Sequence, residues 1–321
     1  MDFNRTATKV TMRLASIDIG TNTVLMLVAD VRRDGSLVVV RDEHFIGRLG
    51  KGVDEYGIIV QETFHRIHGI LSQLKNIADS LGIQHISACG TSALRDAKNR
   101  QEFIDFMKEK LALEIQILSG TEEAELTYLG AISEYMQSDS ENYTVLDIGG
   151  GSTEIVSGSG AHVTSSASMD IGSVRLTERI LKNNPPDRAA MDHAVQIVRD
   201  QLNTIGPLSP ATTIIGVAGT LTTLAALDLR IAEFDKNIVN RHILTTETID
   251  KIFHELRPMT LDQLRSYAQI HPSRADILLA GIIILREILR KMNASKITVS
   301  DRGLRYGIAI KNAQTYFHNP L

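Results

Sequence analysis

The residue types best suited to chemistry lie in one stretch, Asp147-Ile148-Gly149-Gly150-Gly151-Ser152-Thr153-Glu154, entered from the apolar run Val145-Leu146. A strand ends in an acid, a run of glycines, two hydroxyls and a second acid. Glycines let a backbone turn tightly and bring its N–H groups against a ligand, and such groups bind anions, phosphate above all. Gly149, Gly150, Gly151, Ser152 and Thr153 are therefore candidate phosphate contacts. The flanking carboxylates of Asp147 and Glu154 do not bind phosphate; they suit a divalent cation that accompanies it. Taken alone, the stretch also fits a plain hairpin with solvated acids.

The motif has an echo. Asp18-Ile19-Gly20-Thr21-Asn22-Thr23 again ends a strand, Ala15-Ser16-Ile17, and leads through small polar residues into a second strand. Asp18, Gly20, Thr21, Asn22 and Thr23 join the phosphate candidates. One hairpin repeated in two halves implies two similarly built domains facing each other. A phosphate ligand held between such turns is the arrangement of the actin-like, sugar-kinase-like ATPase fold.

Other residues could complete a site. Glu122 and Glu123 open a helix after Ser119-Gly120-Thr121. Acids in a first turn behind a capping Thr are ordinary helix-start chemistry. In a cleft, one of them could also orient and deprotonate a water that attacks a phosphoryl group. Arg95 could grip phosphate oxygens at two points or pair with a nearby acid. Gly219 and Thr220 sit between a strand and a helix start, a ready anion site or a capped turn. Arg48 and Lys51 lie in the glycine-flanked loop Arg48-Leu49-Gly50-Lys51-Gly52, which suits phosphates further along a chain or plain solvent. Lys98, Arg175, Arg302 and Arg305 are weaker candidates of the same kind. His65 and His68 stand three apart with no third ligand, and H-E-x-x-H, C-x-x-C and G-x-S-x-G are all absent from the sequence. The metal chemistry is thus that of Mg²⁺ or Mn²⁺, and direct attack by water is favoured over a covalent serine.

These residues need a frame to hold them. A chain of 321 residues, 43% hydrophobic and 22% charged, suffices for two domains with proper cores. The single cysteine, Cys89, allows no intrachain disulfide and fits the reducing cytoplasm. No apolar run is long enough to cross a membrane, and Met1 to Arg13 reads as a loose polar leader. The net charge of −4 demands no nucleic-acid partner. A polyanionic ligand must be met by positive charge collected locally.

Strands are expected at 14–30, 37–45, 83–88 and 114–118, with Asp34-Gly35 as a turn, and helices at 64–81, 99–112 and 122–136. The polar break Gln137 to Asn142 divides an N-terminal domain, 1–136, from a second, 137–303. The second continues with strands at 143–149, 153–158 and 161–168, helices near 173–183 and from 187, a strand at 213–217, a helix at 221–228, helices over 246–292 and a strand at 296–300. A last helix, about 304–318, would pack back on the first domain. Strand–helix alternation in both halves makes the chain α/β.

With these pieces in order, the chain resembles the exopolyphosphatase / guanosine pentaphosphate phosphatase (Ppx/GppA) family from about residue 14 to 310, in its short two-domain form. The resemblance rests on Ile17 to Thr23, Arg48-Leu49-Gly50, Gly90-Thr91-Ser92-Ala93-Leu94-Arg95-Asp96-Ala97, Leu118 to Leu126, Asp147 to Glu154, Ala218-Gly219-Thr220 and Ser300-Asp301-Arg302-Gly303-Leu304-Arg305. It implies two actin-like domains (ribonuclease H-like, of the sugar kinase/heat-shock ATPase superfamily) with an interdomain cleft. It further implies hydrolysis of the terminal phosphoanhydride of inorganic polyphosphate, or of guanosine pentaphosphate. By motif position Glu123 would be the catalytic base with Glu122 in support, Arg95 would contact phosphate, and Asp147 and Glu154 would bind Mg²⁺ or Mn²⁺. A homodimer is expected from the family alone. An ATP-using phosphotransferase of the same fold and a non-catalytic sensor of polyphosphate or an alarmone are the rival readings. One departure stands out: the Leu-Arg-Glu-Gly common near the family's end is Leu304-Arg305-Tyr306-Gly307 here.

Overall fold

The computed structural model describes residues 11–135, 141–206 and 213–318. The first hairpin joins β1 (Thr11–Ile19) to β2 (Thr23–Arg32), and β3 (Leu37–Ile46) follows through a turn whose Gly35 has φ 81°. Then come α1 (Val53–Tyr56), α2 (Gln61–Ser80), β4 (Ile86–Gly90), α3 (Ser92–Asp96), α4 (Arg100–Leu111), β5 (Ile115–Ile117) and α5 (Gly120–Ile132). The sheet runs β3-β2-β1-β4-β5, antiparallel in its first three strands and parallel from β1 to β5. Phe64, Ile67, Leu71 and Leu74, one face of α2 at helical spacing, bury against Ile17, Ile19, Val24 and Met26.

The second half opens with β6 (Asn142–Ile148), β7 (Thr153–Ser159) and β8 (His162–Met169), then α6 (Ser173–Arg179), α7 (Arg188–Thr204), β9 (Thr213–Val217) and α8 (Ala218–Leu229). It closes with α9 (Lys236–Val239), β10 (Ile243–Thr245), α10 (Thr246–Leu256), α11 (Leu261–Arg265), α12 (Leu278–Lys291), β11 (Lys296–Val299) and α13 (Leu304–His318). Its sheet runs β10-β11-β9-β6-β7-β8. Read from β8, the order β8-β7-β6-β9-β11 repeats that of the first sheet, with β10 added antiparallel at the far edge. Two mixed sheets of one topology make this an actin-like α/β fold, as the repeated hairpin implies.

Two helices cross between the sheets. Ala124, Tyr128, Ala131 and Ile132 of α5 pack on Tyr143, Val145 and Val156 of the second sheet. Tyr306, Ala309 and Ala313 of α13 pack on Leu14, Leu27 and Val31 of the first. The helices meet backbone to backbone: a Cβ on Gly130 would lie 2.3 Å from the Gly303 carbonyl oxygen, and one on Gly307 would lie 1.8 Å from that of Leu126. Cys89 is buried beside them with Leu118, Leu304 and Ile308. Tyr306 is fully buried on the first sheet, its hydroxyl 3.4 Å from Asp42, so the departure from Leu-Arg-Glu-Gly is a matter of packing.

Boundaries shift for local reasons. The helix expected from Glu122 begins at Gly120 because Ser119, not Thr121, is the cap. The strand expected from Ile83 begins at Ile86, after a turn in which Gly82 has φ 67°. The elements α1, α3, α9 and β10 span five residues or fewer, too short for periodicity to reveal. The leader as far as Val10 and most of the polar break at 137–142 lie outside the described residues.

Candidate active site

The two hairpin turns are built alike and face each other. The Gly20 N–H donates to the Thr23 carbonyl at 2.9 Å, and the Gly149 N–H to that of Ser152 at 3.0 Å. Neither Gly20 nor Gly149–Gly151 has a positive φ, so left-handed torsion is not what calls for glycine here. Close approach is. A Cβ on Gly150 would lie 3.0 Å from Thr21, and one on Gly151 would lie 2.5 Å from Ser92 Oγ and 2.9 Å from Thr21 Oγ1. The glycines let one turn nest against the other and against the start of α3.

The strands that enter these turns deliver carboxylates. Asp18 is one residue from the end of β1, Asp147 one residue from the end of β6, and Glu154 pairs opposite Asp147 across β6 and β7. Glu123, on the first turn of α5, is buried beside them. Burial is the main reason that all four hold their protons more tightly than usual. Asp18 is pushed up to about 8 by burial, then by the charges of Glu123 and Asp147. Asp147 is pushed up to about 7 by burial and by Glu123. Glu154 is held well above the usual range by burial and by both of those acids, against the hydroxyls of Ser168 and Ser152. Asp18 and Asp147 are half-buried by surface area, yet protein encloses them on most sides, and desolvation prevails.

Arg95 makes Glu123 a special member of this set. Its Nη1 donates to Glu123 Oε2 at 2.7 Å and to the Leu118 carbonyl at 2.9 Å. Burial raises the Glu123 affinity for a proton, and the Arg95 hydrogen bond and charge oppose it. A carboxylate so balanced can hold a negative charge out of bulk water and still accept a proton.

Several expected contacts are engaged elsewhere. Glu122 is exposed and closes a capping box with Ser119, whose N–H and hydroxyl both donate to it at 2.8 Å, and its carboxyl sits below the usual range. Thr153 is buried and its hydroxyl donates to the Ile171 carbonyl at 2.6 Å. Arg48 reaches the Ser273 carbonyl at 2.9 Å and Asp276 at 3.2 Å, tying its loop to the second half. Arg175 meets Asp54 at 3.1 Å and also bonds to Asp96, while Arg179 meets Asp54. Arg302 pairs with Glu134 at 3.0 Å and Arg305 with Asp42 at 2.9 Å. Lys51 is exposed, and Lys98 lies along Gly57. His65 and His68 on α2 border Phe106, a packing role.

Gly219 and Thr220 lie at the start of α8, where the turn holds a cation that sequence reasoning missed. The Arg274 guanidinium covers Gly219 so closely that a Cβ there would lie 1.8 Å from Nη1. Among the described residues no carboxylate pairs with Arg274; it donates to His44 Nε2 at 2.8 Å, and burial brings its own value down to about 10. His44 is exposed on one side, yet the protein packed around its ring, Arg274 and Arg305 push it down to about 3, so the ring is neutral and accepts that bond. Thr220 faces Gly281 of α12. Nothing short-range in His-Pro-Ser-Arg marks Arg274, because its partners come from the other half of the chain.

Among the described residues no group of three or more acids, histidines or cysteines is already gathered to hold a metal ion. The residues nevertheless fit a hard cation that keeps most of its water. Mg²⁺ typically takes one or two carboxylates plus substrate phosphates. Glu154 is 1% exposed, and its Oε2 has no hydrogen-bond partner. A buried orphan oxygen beside Asp147, in a set of oxygen donors only, suits Mg²⁺ or Mn²⁺.

Comparison with known proteins agrees with this geometry. A model of the Ppx/GppA phosphatase family matches residues 27–316. Exopolyphosphatase 2 of Mycobacterium tuberculosis is 35% identical over 317 residues, 94% of this chain and 98% of that protein. A guanosine-5'-triphosphate,3'-diphosphate pyrophosphatase of Vibrio atlanticus is 27% identical, covering 92% of this chain and 58% of that one. The crystal structure of an exopolyphosphatase-like protein superposes with a TM-score of 0.91 at 32% identity, over 96% of this chain and 99% of that one.

Proposed function

The chain belongs to the Ppx/GppA phosphatase family, and from that premise we propose how this hydrolase of phosphoanhydride bonds works as an exopolyphosphatase. The observation that carries the reading is Glu123, buried and paired to Arg95 at 2.7 Å where two phosphate turns and three further carboxylates converge. The backbone N–H groups of Thr21, Asn22, Gly150 and Gly151 and the guanidinium of Arg274 receive the terminal phosphates. Glu123 orients a water and takes its proton as the oxygen attacks the end phosphorus in line. Arg95 then turns from the protonated base to the charge growing on the phosphoryl oxygens. Orthophosphate leaves, and the chain is one unit shorter. Glu154 and Asp147 would hold Mg²⁺ or Mn²⁺, which neutralises phosphate charge when bound. Asp18 stands with the acids and reaches phosphate only through such an ion. Glu122 serves by capping α5.

The test is orthophosphate release with Mg²⁺ from short and long polyphosphate, guanosine pentaphosphate and ATP. Glu123→Gln should keep the thermal midpoint and lose about 10²- to 10⁴-fold in turnover, the usual share of a general base. Near-normal turnover in that variant refutes the assignment. The Vibrio atlanticus relative supports guanosine pentaphosphate as the second substrate to rank. Polyphosphate binding without release from any substrate would point to a sensor. We assign the reaction to the cytoplasm and a homodimer as the assembly to test by light scattering. No helix among the described residues is long and apolar enough to cross a membrane.

A further inference from the structure

We propose that Ser168 is a positioning residue for the cation site: its hydroxyl holds one oxygen of Glu154 so that the other is presented to the ion. This rests on the reading of Glu154 as a cation ligand. Ser168 sits directly opposite Glu154 in the β7–β8 pairing, and its Oγ donates to Glu154 Oε1 at 2.8 Å. Oε2 is the oxygen left without a partner. The last torsion of a Glu side chain is broad, so an untethered carboxylate sweeps its two equivalent oxygens through the site. A fixed donor on one of them ends that exchange and leaves a single defined ligand atom.

The position of Ser168 gives the bond a second consequence. A Cβ on Gly120 would lie 2.8 Å from Ser168 Oγ and 2.9 Å from its Cβ, so the serine fits against the first turn of the helix that carries Glu123. One small side chain thus sets Glu154 and borders the segment that bears the base. The Ser152 hydroxyl also favours the charged form of Glu154, but it belongs to the phosphate turn, so changing it would disturb both ligands at once. Ser168 lies outside that turn on an exposed position of the edge strand, so its hydroxyl can be removed without changing the phosphate turn itself.

The experiment uses the full chain with Mn²⁺ as the probe, its free concentration read by electron paramagnetic resonance in the presence of inorganic phosphate. Wild type, Ser168→Ala, Glu154→Gln and the double variant are compared. Ser168→Ala should bind Mn²⁺ about tenfold more weakly, the lower end of the usual loss when an outer-shell partner of a ligand is removed. The apparent KM for Mn²⁺ in phosphate release should rise by the same factor, while kcat at saturating Mn²⁺ and the thermal midpoint in EDTA hold. In the Glu154→Gln background the serine change should add nothing. Unchanged Mn²⁺ affinity in Ser168→Ala, with affinity lost in Glu154→Gln, overturns the role of Ser168 alone. Wild-type affinity in Glu154→Gln overturns the cation reading and the proposal with it. A lowered midpoint in EDTA together with a lowered kcat assigns Ser168 to packing and also overturns it.

Discussion

Replacing Arg95 with Met separates two jobs the arginine could do. The guanidinium donates to Glu123 at 2.7 Å, with the Glu123 side chain 9% exposed and that of Arg95 22% exposed. A hydrogen bond to a charged group at such a site contributes about 1.5–3 kcal/mol. At about 1.4 kcal/mol per pH unit, its loss should move the acid limb of the rate profile by about one to two units. The sign follows from which form is bonded. Arg95 favours the ionised carboxylate, so without it Glu123 keeps its proton to higher pH. Turnover on polyphosphate, measured with saturating Mg²⁺ across pH 5–9, should fall most at the acid end and recover in part at the alkaline end. If instead the profile drops uniformly and its acid limb stays in place, Arg95 acts on phosphate alone, and its tuning of Glu123 is refuted.

Two further expectations follow from the same site. Asp18 and Asp147 are pushed up to about 8 and about 7, so between pH 6.5 and 8 the folded state binds more protons than the unfolded chain. Stability without metal should therefore fall as pH rises through that window, by up to about 1.4 kcal/mol per pH unit for each acid. His44, pushed down to about 3, acts with the opposite sign but only below its unfolded value near 6.5. Mg²⁺ should restore the thermal midpoint more at pH 8 than at pH 6.5, since it competes with those protons; a midpoint in EDTA that is flat or rising over this range contradicts the acid cluster. Gly151→Ala brings a Cβ to 2.5 Å from Ser92 Oγ, so it should cut turnover by about tenfold or more as the turns part, and Ser92→Gly should return part of it. Full activity in Gly151→Ala would mean that the turns need not nest.

How much of this was legible in the sequence differs from residue to residue. The repeated hairpin and its acids could be read because turn, strand and carboxylate lie within a few residues of each other. From the bare residues Glu123 is one of two equal acids, and only the family resemblance singles it out; the capping box that draws Glu122 outward leaves the next residue to face the other carboxylates. The glycine run reads as a tight turn that approaches a ligand closely; that it also lets a partner turn come close is a contact no local pattern encodes. Arg274 and His44 meet across 230 positions, and Arg48 finds Asp276 across 228. Ser168 lies in the serine-rich run of β8, where composition does not separate one hydroxyl from the next.

The crossing of α5 and α13 has a mechanical consequence. With bare backbone from each helix in contact at Gly130 and Gly307, there is no side chain between them to compress or slide. The contact works as an axle. Glu123 lies seven residues up the same helix, on an arm of roughly 10 Å at about 1.5 Å per residue, so a tilt of about 5° swings the base by about 1 Å. A displacement of that size can cost about a hundredfold in rate. On the proposed role of Glu123, the angle between the two sheets sets the aim of the base. The ties of Arg48, Arg175 and Arg179 between the halves hold that angle at one setting.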